Sequence, residues 1–358
     1  MGSESSDTGE QRRIGPATLL HGETFWHKHA TWLKECGYEL RPRFLPGCVP
    51  SWTVTKKEPY ECEDSSSGMR SYAFMDAKDT STGQIVAMKL IMQENEPNEL
   101  EIATFLTSEE KFSDRRNHCV PILRLLPVPN EEGHVIIVMP YLRPWYDPKF
   151  KTIGEGVHFF REMFEGLQFI HHNRVVHYDG GFTDIMMDAT SMFGPDSFHP
   201  DQMDLKYDFS SRARYRSRTE RPPKYYYIDF GLSILFKPNE LPATRTPKHD
   251  PFAVDIYYLG NAFRAFLPRG VGADYKLSEK ALPAMTEPDP TKQIKIDEAV
   301  EKFAQVEKSL SAMTLRSRVV YNTDFTIFRP FKAVGRHWVW TLGLTVRGIP
   351  ATPKLVPQ

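Results

Sequence analysis

The spacing of apolar and polar residues predicts strands in the first part of the chain and helices in the second. Between residues 23 and 36, apolar side chains recur at spacings of three, four and seven, which predicts a short amphipathic helix. Two hairpins are predicted next, the first from strands at 72–77 and 85–92 and the second from strands at 120–128 and 134–142. A strand-rich half therefore precedes a helical half.

Two further helices are predicted from their opening residues and their periodicity. Acidic residues after Pro97 favour a helix that begins at Glu99, because a proline and negative charges stabilise a first helical turn. After Pro144, apolar side chains lie on one face of a longer helix that runs to about His172. That face consists of Phe160, Met163, Phe164, Leu167 and Ile170.

Two polar stretches interrupt this pattern. Residues 1–20 are Ser-rich and are predicted to be disordered. Residues 189–224 form a long polar loop, and its segment 211–224 holds six basic residues against one acidic residue, a net charge of +5. A solvated insertion is the favoured interpretation, and a nuclear-import or nucleic-acid patch is the alternative. The basic residues are Arg212, Arg214, Arg216, Arg218, Arg221 and Lys224.

Composition limits the class of protein. The 358 residues are 40% hydrophobic and 25% charged, which is close to the average for globular proteins. This excludes a wholly disordered, collagen-like or coiled-coil chain, and the length suggests about two domains or one large two-lobed domain. The net charge of -1 provides no overall positive field, so no nucleic-acid partner is expected unless the basic insertion at 211–224 binds one.

The cysteines and the N-terminus bear on the cellular compartment. The four cysteines show neither the close pairing of zinc ligands nor the density of a disulfide scaffold, which favours an intracellular location, cytoplasmic or nuclear. No apolar stretch approaches the roughly 18 residues of a membrane span, so no membrane partner is expected. Gly2 and Ser6 fit a loose myristoylation pattern, but a Ser-rich tail is the favoured interpretation. The cysteines are Cys36, Cys48, Cys62 and Cys119.

Four short motifs follow one another along the chain in a fixed order. Val86-Ala87-Met88-Lys89 ends a predicted strand, Glu99 opens the next helix, His177-Tyr178-Asp179 follows a helix, and Tyr227-Ile228-Asp229-Phe230-Gly231 comes last. A lysine on a rigid strand can hold a positive charge against nucleotide phosphates, and a helix glutamate can orient its ammonium group. Two aspartates can hold metal-bound phosphates and a substrate hydroxyl, because phosphoryl transfer depends on positioning and charge neutralisation.

This ordered set resembles the protein kinase superfamily, and the resemblance covers residues from about 72 to 300. It implies an α+β fold with two lobes, a small β-rich N-lobe and a larger α-helical C-lobe. It also implies ATP and Mg²⁺ as cofactors, and transfer of the γ-phosphate to a Ser or Thr hydroxyl of a protein substrate. Asp255 begins a segment that is similar to the kinase helix whose buried aspartate braces the catalytic loop. The wider pattern looks like a divergent fungal group of kinase-domain proteins.

The resemblance assigns roles to individual residues. Asp179 matches the aspartate that accepts or orients the hydroxyl proton, and Lys89 and Glu99 match the phosphate-binding lysine and its orienting glutamate. Asp229 matches the magnesium ligand, and Asp184 stands where the family has a metal-binding asparagine. The adenine pocket that the resemblance implies involves Ala87, Met139, Pro140 and Leu142, and Phe74 would either stack on adenine or fill the pocket.

Several family features are replaced in this chain. The glycines that let a loop approach phosphates are replaced by Ser67, Met69 and Tyr72, and no lysine or arginine lies between Asp179 and Asp184. Losing one preorganised charge-stabilising donor costs on the order of 3 kcal/mol of transition-state stabilisation, or roughly a hundredfold in rate. The preferred interpretation is a protein kinase of low activity. The alternatives are a catalytically inactive pseudokinase that acts as a scaffold, and a small-molecule phosphotransferase.

The expected domain boundaries follow from these patterns. The kinase-like part begins after an N-terminal extension and ends before a C-terminal tail rich in aromatic and basic residues. The sequence leaves the substrate, the protein partner and the oligomeric state open. The expected divisions are a disordered N-terminus at 1–20, a helical extension at 21–51, an N-lobe at 52–142, a C-lobe at 143–316 that contains the insertion at 189–224, and a tail at 317–358.

Overall fold

A computed structural model of the chain divides into two compact units. One unit consists of Met1–Lys89 with Phe198–Ala213, and the other of Leu90–Ser197 with Arg214–Gln358. Each is described below by itself, for the residues that the structure describes. These are residues 19–65, 72–179, 182–194, 198–237, 250–266, 284–289, 292–319 and 330–354.

In the first unit, a helix packs beside three antiparallel strands. The helix α1 (Glu23–Glu35) confirms the predicted amphipathic helix, and the chain turns after it at Gly37, which has a φ of 96° that suits glycine. Trp26 on its buried face donates a hydrogen bond from Nε1 to the carbonyl of Tyr72, 2.9 Å away. The strands are β1 (Tyr38–Glu39), β2 (Phe74–Asp79) and β3 (Ile85–Met92), the last of which ends in the second unit.

The first predicted hairpin is therefore confirmed, although β2 begins two residues later than expected. Strands β2 and β3 pair in antiparallel register, with Phe74 opposite Lys89 and Asp76 opposite Ala87. Strand β1 pairs with the outer edge of β2. Four short 3-10 turns connect β1 to the rest of the unit: Pro42–Phe44, Ser51–Thr53, Pro59–Glu61 and Glu63–Ser65.

A buried ionic network holds the first unit together. The guanidinium of Arg41 donates to Asp76 at 2.9 Å and to Glu63 at 3.1 Å. Burial disfavours this charge, but the carboxylates of Asp76 and Glu63 outweigh that effect and raise the pKa of Arg41. Glu63 also lies 3.2 Å from Nε2 of His199, which is fully buried. Part of the predicted insertion is thus packed into this unit rather than solvated.

The second unit contains most of the helices. Its described helices are α2 (Glu99–Leu106), α3 (Glu109–Phe112), α4 (Ile153–His172), α5 (Thr190–Phe193), α6 (Pro251–Phe266), α7 (Ile296–Ser309), α8 (Ala312–Arg316) and α9 (Pro330–Val346), with a 3-10 turn at Phe182–Asp184. Its described strands are β4 (Arg124–Pro127), β5 (His134–Pro140), β6 (Arg143–Pro144), β7 (Val175–Val176), β8 (Ile185–Asp188), β9 (Lys224–Tyr227) and β10 (Ile234–Leu235).

The helix α4 forms the centre of this unit's core. The Thr152 side chain caps it by accepting from the backbone N–H of Glu155, as an N-cap residue does. Phe160 on its buried face meets Phe263 of α6 edge to face with a 4.4 Å centroid distance, and Phe164 packs on Phe303 of α7 at 4.8 Å. The predicted helix ending near residue 172 is confirmed.

Strand pairing in the second unit confirms the second predicted hairpin, with shorter strands than expected. Strands β4 and β5 are antiparallel, with Arg124 opposite Val138. A separate antiparallel sheet has the order β6-β8-β9, and β7 pairs with β10. The helix predicted to begin at Glu99 is also confirmed by α2. Among the described residues, no helix is both long and apolar enough to cross a membrane.

The prediction that residues 189–224 form a solvated loop is wrong for Arg218. Its side chain is 1% exposed, and its guanidinium donates to the hydroxyl of Tyr225 and to the carbonyls of Trp145 and Pro148. The guanidinium also lies over the ring of Phe150, 4.4 Å from its centroid. One of the six basic residues of 211–224 is therefore an internal brace rather than part of a surface patch.

Candidate active site

The loop that leads to Asp179 is held by a buried carboxylate. Asp255 lies in α6 and is 1% exposed. Its Oδ2 accepts a hydrogen bond from the backbone N–H of His177 at 2.9 Å and also lies 2.9 Å from Nε2 of His171. Its Oδ1 accepts a hydrogen bond from the backbone N–H of Tyr178 at 2.8 Å. This geometry confirms the predicted bracing of the loop by Asp255.

Two more hydrogen bonds fix the His177 residue itself. Its Nε2 lies 3.0 Å from the carbonyl of Ile228, so this nitrogen carries the proton, and its own carbonyl accepts from the hydroxyl of Ser233 at 3.1 Å. Burial lowers the pKa of His177, although Asp255 opposes the shift, and the neutral ring is the favoured form. Tyr178 has a φ of 68°, a left-handed conformation that its backbone hydrogen bond supports. Asp179 follows directly and is exposed.

Asp184 and Asp229 lie at the same end of two paired strands. Asp184 immediately precedes β8 and Asp229 follows β9 by two residues, while Ile185 stands opposite Tyr227 in the ladder. The carbonyl of Asp184 accepts from the backbone N–H of Ile228 at 2.9 Å. The two predicted metal ligands, Asp184 and Asp229, therefore lie at the same end of the β8–β9 pair in the second unit.

Gly231 lies between two carboxylates of the predicted site. A Cβ atom built on this glycine would lie 3.3 Å from Oδ1 of Asp229 and 3.3 Å from Oε2 of Glu99, with Oε1 of Glu96 4.0 Å away. A larger residue would therefore have to displace one of these groups. Asp229 has a φ of 61°, and the adjacent Phe230 is buried, with its ring 5.1 Å from the ring of His177.

The sequence reasoning did not identify Glu96 as part of this cluster. It precedes α2 by three residues and carries a carboxylate close to those of Glu99 and Asp229. The repeated acidic residues just before and within the first turn of α2 were the available signal.

In the first unit, the structure brings Phe74, Ala87 and Lys89 together. Phe74 stands opposite Lys89 across the hairpin, and Nζ of Lys89 lies 5.6 Å from the centroid of the Phe74 ring, which is cation–π distance. Ala87 and Lys89 are two positions apart on β3 and therefore share one face. Lys89 is buried and Phe74 is half-buried.

The predicted hinge residues lie at and just after the end of β5. Met139 and Pro140 are half-buried at the end of this strand, and Leu142 is buried two residues later. Pro140 has no N–H and can offer an adenine base only its carbonyl, whereas Leu142 can offer both backbone groups. Ser67 and Met69, two of the expected phosphate-loop positions, lie outside the described residues. The third, Tyr72, is exposed.

These residues fit magnesium bound together with a nucleotide better than a free metal ion. Among the described residues, no group of three or more His, Cys, Asp or Glu side chains could hold a metal ion. Mg²⁺ in nucleotide sites takes one or two carboxylates and completes its octahedron with phosphate oxygens and water. Asp184 and Asp229, at the same end of the β8–β9 pair, supply the number of carboxylates that this requires.

Comparison with known families decides the class of this fold. A family model described as "Protein kinase domain" matches residues 68–260, which is more than half of the chain. The chain belongs to the protein kinase family. The kinase domain has the mixed α+β, two-lobed fold that the resemblance implied. The helix α1 precedes the matched residues, and the helices α7, α8 and α9 follow them.

A more distant match, to a curated protein, also supports a kinase. The kinase chain is 27% identical over 224 residues to a protein named "CTD kinase subunit alpha" from Schizosaccharomyces pombe. The match covers 60% of this chain but 34% of the relative, so this kinase spans about a third of that protein's length. Together the two matches support a phosphotransferase in general.

Proposed function

We propose that this kinase domain binds ATP with Mg²⁺ and transfers the γ-phosphate to a Ser or Thr hydroxyl of a protein substrate. The observation that carries the proposal is the bracing of the loop before Asp179 by Asp255, in the same unit that contains Asp184 and Asp229 at one end of the β8–β9 pair. Phosphoryl transfer requires a carboxylate that orients the hydroxyl and carboxylates that hold the metal ion, and Asp179, Asp184 and Asp229 would supply them.

Each predicted residue then has one task. Asp179 orients the substrate hydroxyl and accepts its proton. Asp184 and Asp229 would hold the metal ion, which supplies neutralising charge to the phosphates when it is bound. By the family's motif order, Lys89 takes the role of the phosphate-binding lysine and Glu99 that of its orienting carboxylate. Adenine would lie against Ala87 and Met139 and meet the backbone of Pro140 and Leu142.

We expect the reaction to be slow. The chain between Asp179 and Asp184 carries no lysine or arginine, so a positive charge near the transferred phosphoryl group is absent from this segment. The loss of one such donor corresponds to roughly a hundredfold in rate. The proposed kinase therefore has low turnover, and its assay needs radiolabelled γ-phosphate rather than a coupled optical readout.

Replacing Asp179 with Asn should abolish the phosphate transfer that the wild type performs. The amide cannot accept the hydroxyl proton, and the expected drop is about a hundredfold, which brings a slow enzyme to background. The measurement is Mg²⁺-dependent transfer of ³²P from ATP to a mixture of Ser- and Thr-containing peptides. Asp208→Asn is the matched control, because Asp208 is an exposed aspartate of the first unit. Equal rates for all three proteins would refute the proposed transfer.

A second candidate function is a pseudokinase that acts as a scaffold, and the position of Phe74 favours it. The Phe74 ring lies near Nζ of Lys89, and this ammonium group is the one proposed to face the nucleotide phosphates. A lysine engaged with an aromatic ring must give up about 0.5–2 kcal/mol of cation–π attraction before it can bind phosphate. A chain that holds its lysine in this way can keep the kinase fold without turnover.

Replacing Phe74 with Val separates these two functions. The shorter side chain removes the cation–π contact with the Lys89 ammonium, so MgATP should bind about three- to tenfold more tightly if the ring competes with phosphate. Calorimetric titration of wild type and variant measures this change, with Phe112→Val, an exposed phenylalanine on α3, as the control. Weaker binding in the Phe74 variant would mean instead that the ring stacks on adenine.

A further inference from the structure

The helix α9 carries a row of apolar residues that is open to solvent. We call Gly335, Val339, Leu342 and Val346 the α9 seam. Val339 is 74% exposed, Leu342 is 65% exposed and Val346 is 80% exposed. A Cβ atom built on Gly335 would meet no other atom within 4 Å. The row is therefore uncovered by any residue that the structure describes.

The opposite face of α9 is firmly attached to the second unit. Thr341 and Leu344 are buried, and Nε2 of His337 lies 2.8 Å from the carbonyl of Arg316. Nζ of Lys151 lies 5.3 Å from the ring centroid of Trp340, a cation–π contact. The end of the helix is tied down by Arg347, which pairs with Glu220 at 3.1 Å. The seam is thus presented on a helix that is already folded and held in place.

The spacing of the seam indicates what kind of group would cover it. Its members are separated by four, three and four residues, which is the a and d repeat of a helix that packs against another helix. A glycine in such a row allows the backbone of a partner helix to come close, and the aliphatic residues supply the buried area. Trp338 lies beside the seam, is 44% exposed and extends the apolar surface.

Charge favours an acidic partner helix over a second copy of α9. The sequence of α9 contains no aspartate or glutamate, and Arg336, next to the seam, is exposed. The tail at 317–358 holds six basic residues and one acidic residue, in a chain whose net charge is -1. A second copy of α9 offers no carboxylate to pair with Arg336, whereas an acidic helix would complement it.

We propose that the α9 seam docks an amphipathic helix of a partner protein, with apolar residues at its own a and d positions and glutamate or aspartate beside them. This site is separate from the candidate active site and outside the residues that match the kinase family. The buried face of α9 holds this helix in place before a partner binds. Binding therefore does not have to include the entropic cost of ordering α9.

The probe is a fluorescent synthetic helix of about three heptads, with Leu and Ile at a and d and Glu at e and g. A matched peptide has Lys at e and g instead. Titration into the full chain, followed by anisotropy, should give a Kd about tenfold or more lower for the acidic peptide than for the basic one. The Val339→Glu/Leu342→Glu double variant should weaken acidic-peptide binding by about tenfold or more.

Two further variants make the test specific. Arg336→Glu should reverse the preference, so that the basic peptide binds more tightly than the acidic one. Met313→Glu changes an equally exposed apolar residue on α8 and should leave the Kd unchanged. All substituted positions are exposed, and equal melting temperatures verify that the fold is intact.

Other results would overturn the proposal. Equal binding of both peptides, or binding unaffected by the double variant, would show that the seam is not the docking site. Binding of phosphatidylserine vesicles but of neither peptide would assign the seam to a membrane surface. A wild-type dimer that the double variant dissolves would assign it to a second copy. Peptide binding that requires replacement of residues 320–329 by a Gly-Ser linker would assign it to that segment of the same chain.

Discussion

Replacing Asp255 with Asn is expected to lower the free energy of unfolding by about 3 kcal/mol and the proposed phosphate transfer by about a hundredfold or more. The buried carboxylate accepts from the backbone N–H groups of His177 and Tyr178 and pairs with His171. An amide keeps one acceptor oxygen and turns an NH₂ group toward a backbone donor. A buried N–H left without an acceptor costs about 1–3 kcal/mol, and more when the lost acceptor was charged.

The effect on transfer follows from the same hydrogen bonds. Tyr178 has a left-handed backbone conformation one residue before Asp179. Its backbone N–H donates to Oδ1 of Asp255, so the substitution of Asp255 directly affects this hydrogen bond. When that bond is lost, the loop can relax, and a displacement of about 1 Å at a reacting group can cost a hundredfold in rate. The stability loss tests the bracing alone, whereas the rate loss also depends on the proposed function.

Urea denaturation and the ³²P transfer assay measure the two effects separately. Asp250→Asn is the matched control, since Asp250 is an exposed aspartate that accepts from the N–H of Phe252 at the start of α6, a capping role that asparagine fills equally well. Unfolding at the same urea concentration for Asp255→Asn and wild type would show that Asp255 does not brace the loop.

Local patterns were enough to predict the elements whose signal lies within a few residues. The α1 helix follows from its apolar spacing, α2 from the acidic turn at Glu99, and the two hairpins from alternation around turn residues. The bracing role of Asp255 was predictable because the motif order resembled a known family. For the helices and hairpins, a short stretch of chain carries its own information.

The interactions that the sequence did not reveal join residues far apart in the chain. Arg41 pairs with Asp76 at a separation of 35 residues, and His199 meets Glu63 at a separation of 136 residues. Each of these side chains alone has the character of a surface residue, because charged groups are rarely buried unless they are paired. Their burial depends on a tertiary contact that no local periodicity encodes. The same reason explains why 189–224 was predicted to be solvated.

The internal position of Arg218 leads to the second large expected effect. Arg218→Met should lower the free energy of unfolding by about 3 kcal/mol, because methionine fills the space of the stem but donates no hydrogen bond. The carbonyls of Trp145 and Pro148 and the hydroxyl of Tyr225 then lose the donor that satisfies them in a buried environment. The stacking of the guanidinium on Phe150 is lost as well.

Urea denaturation of two further variants distinguishes the loss of the Arg218 hydrogen bonds from a general effect of removing a positive charge. Arg216→Met removes an exposed arginine two positions away and should change the unfolding free energy by no more than about 0.5 kcal/mol. Arg218→Lys keeps the charge but should be nearly as destabilising as Arg218→Met, since one ammonium group cannot reproduce the planar fork of the guanidinium. If Arg218→Met unfolds at the same urea concentration as Arg216→Met, Arg218 contributes no internal bracing.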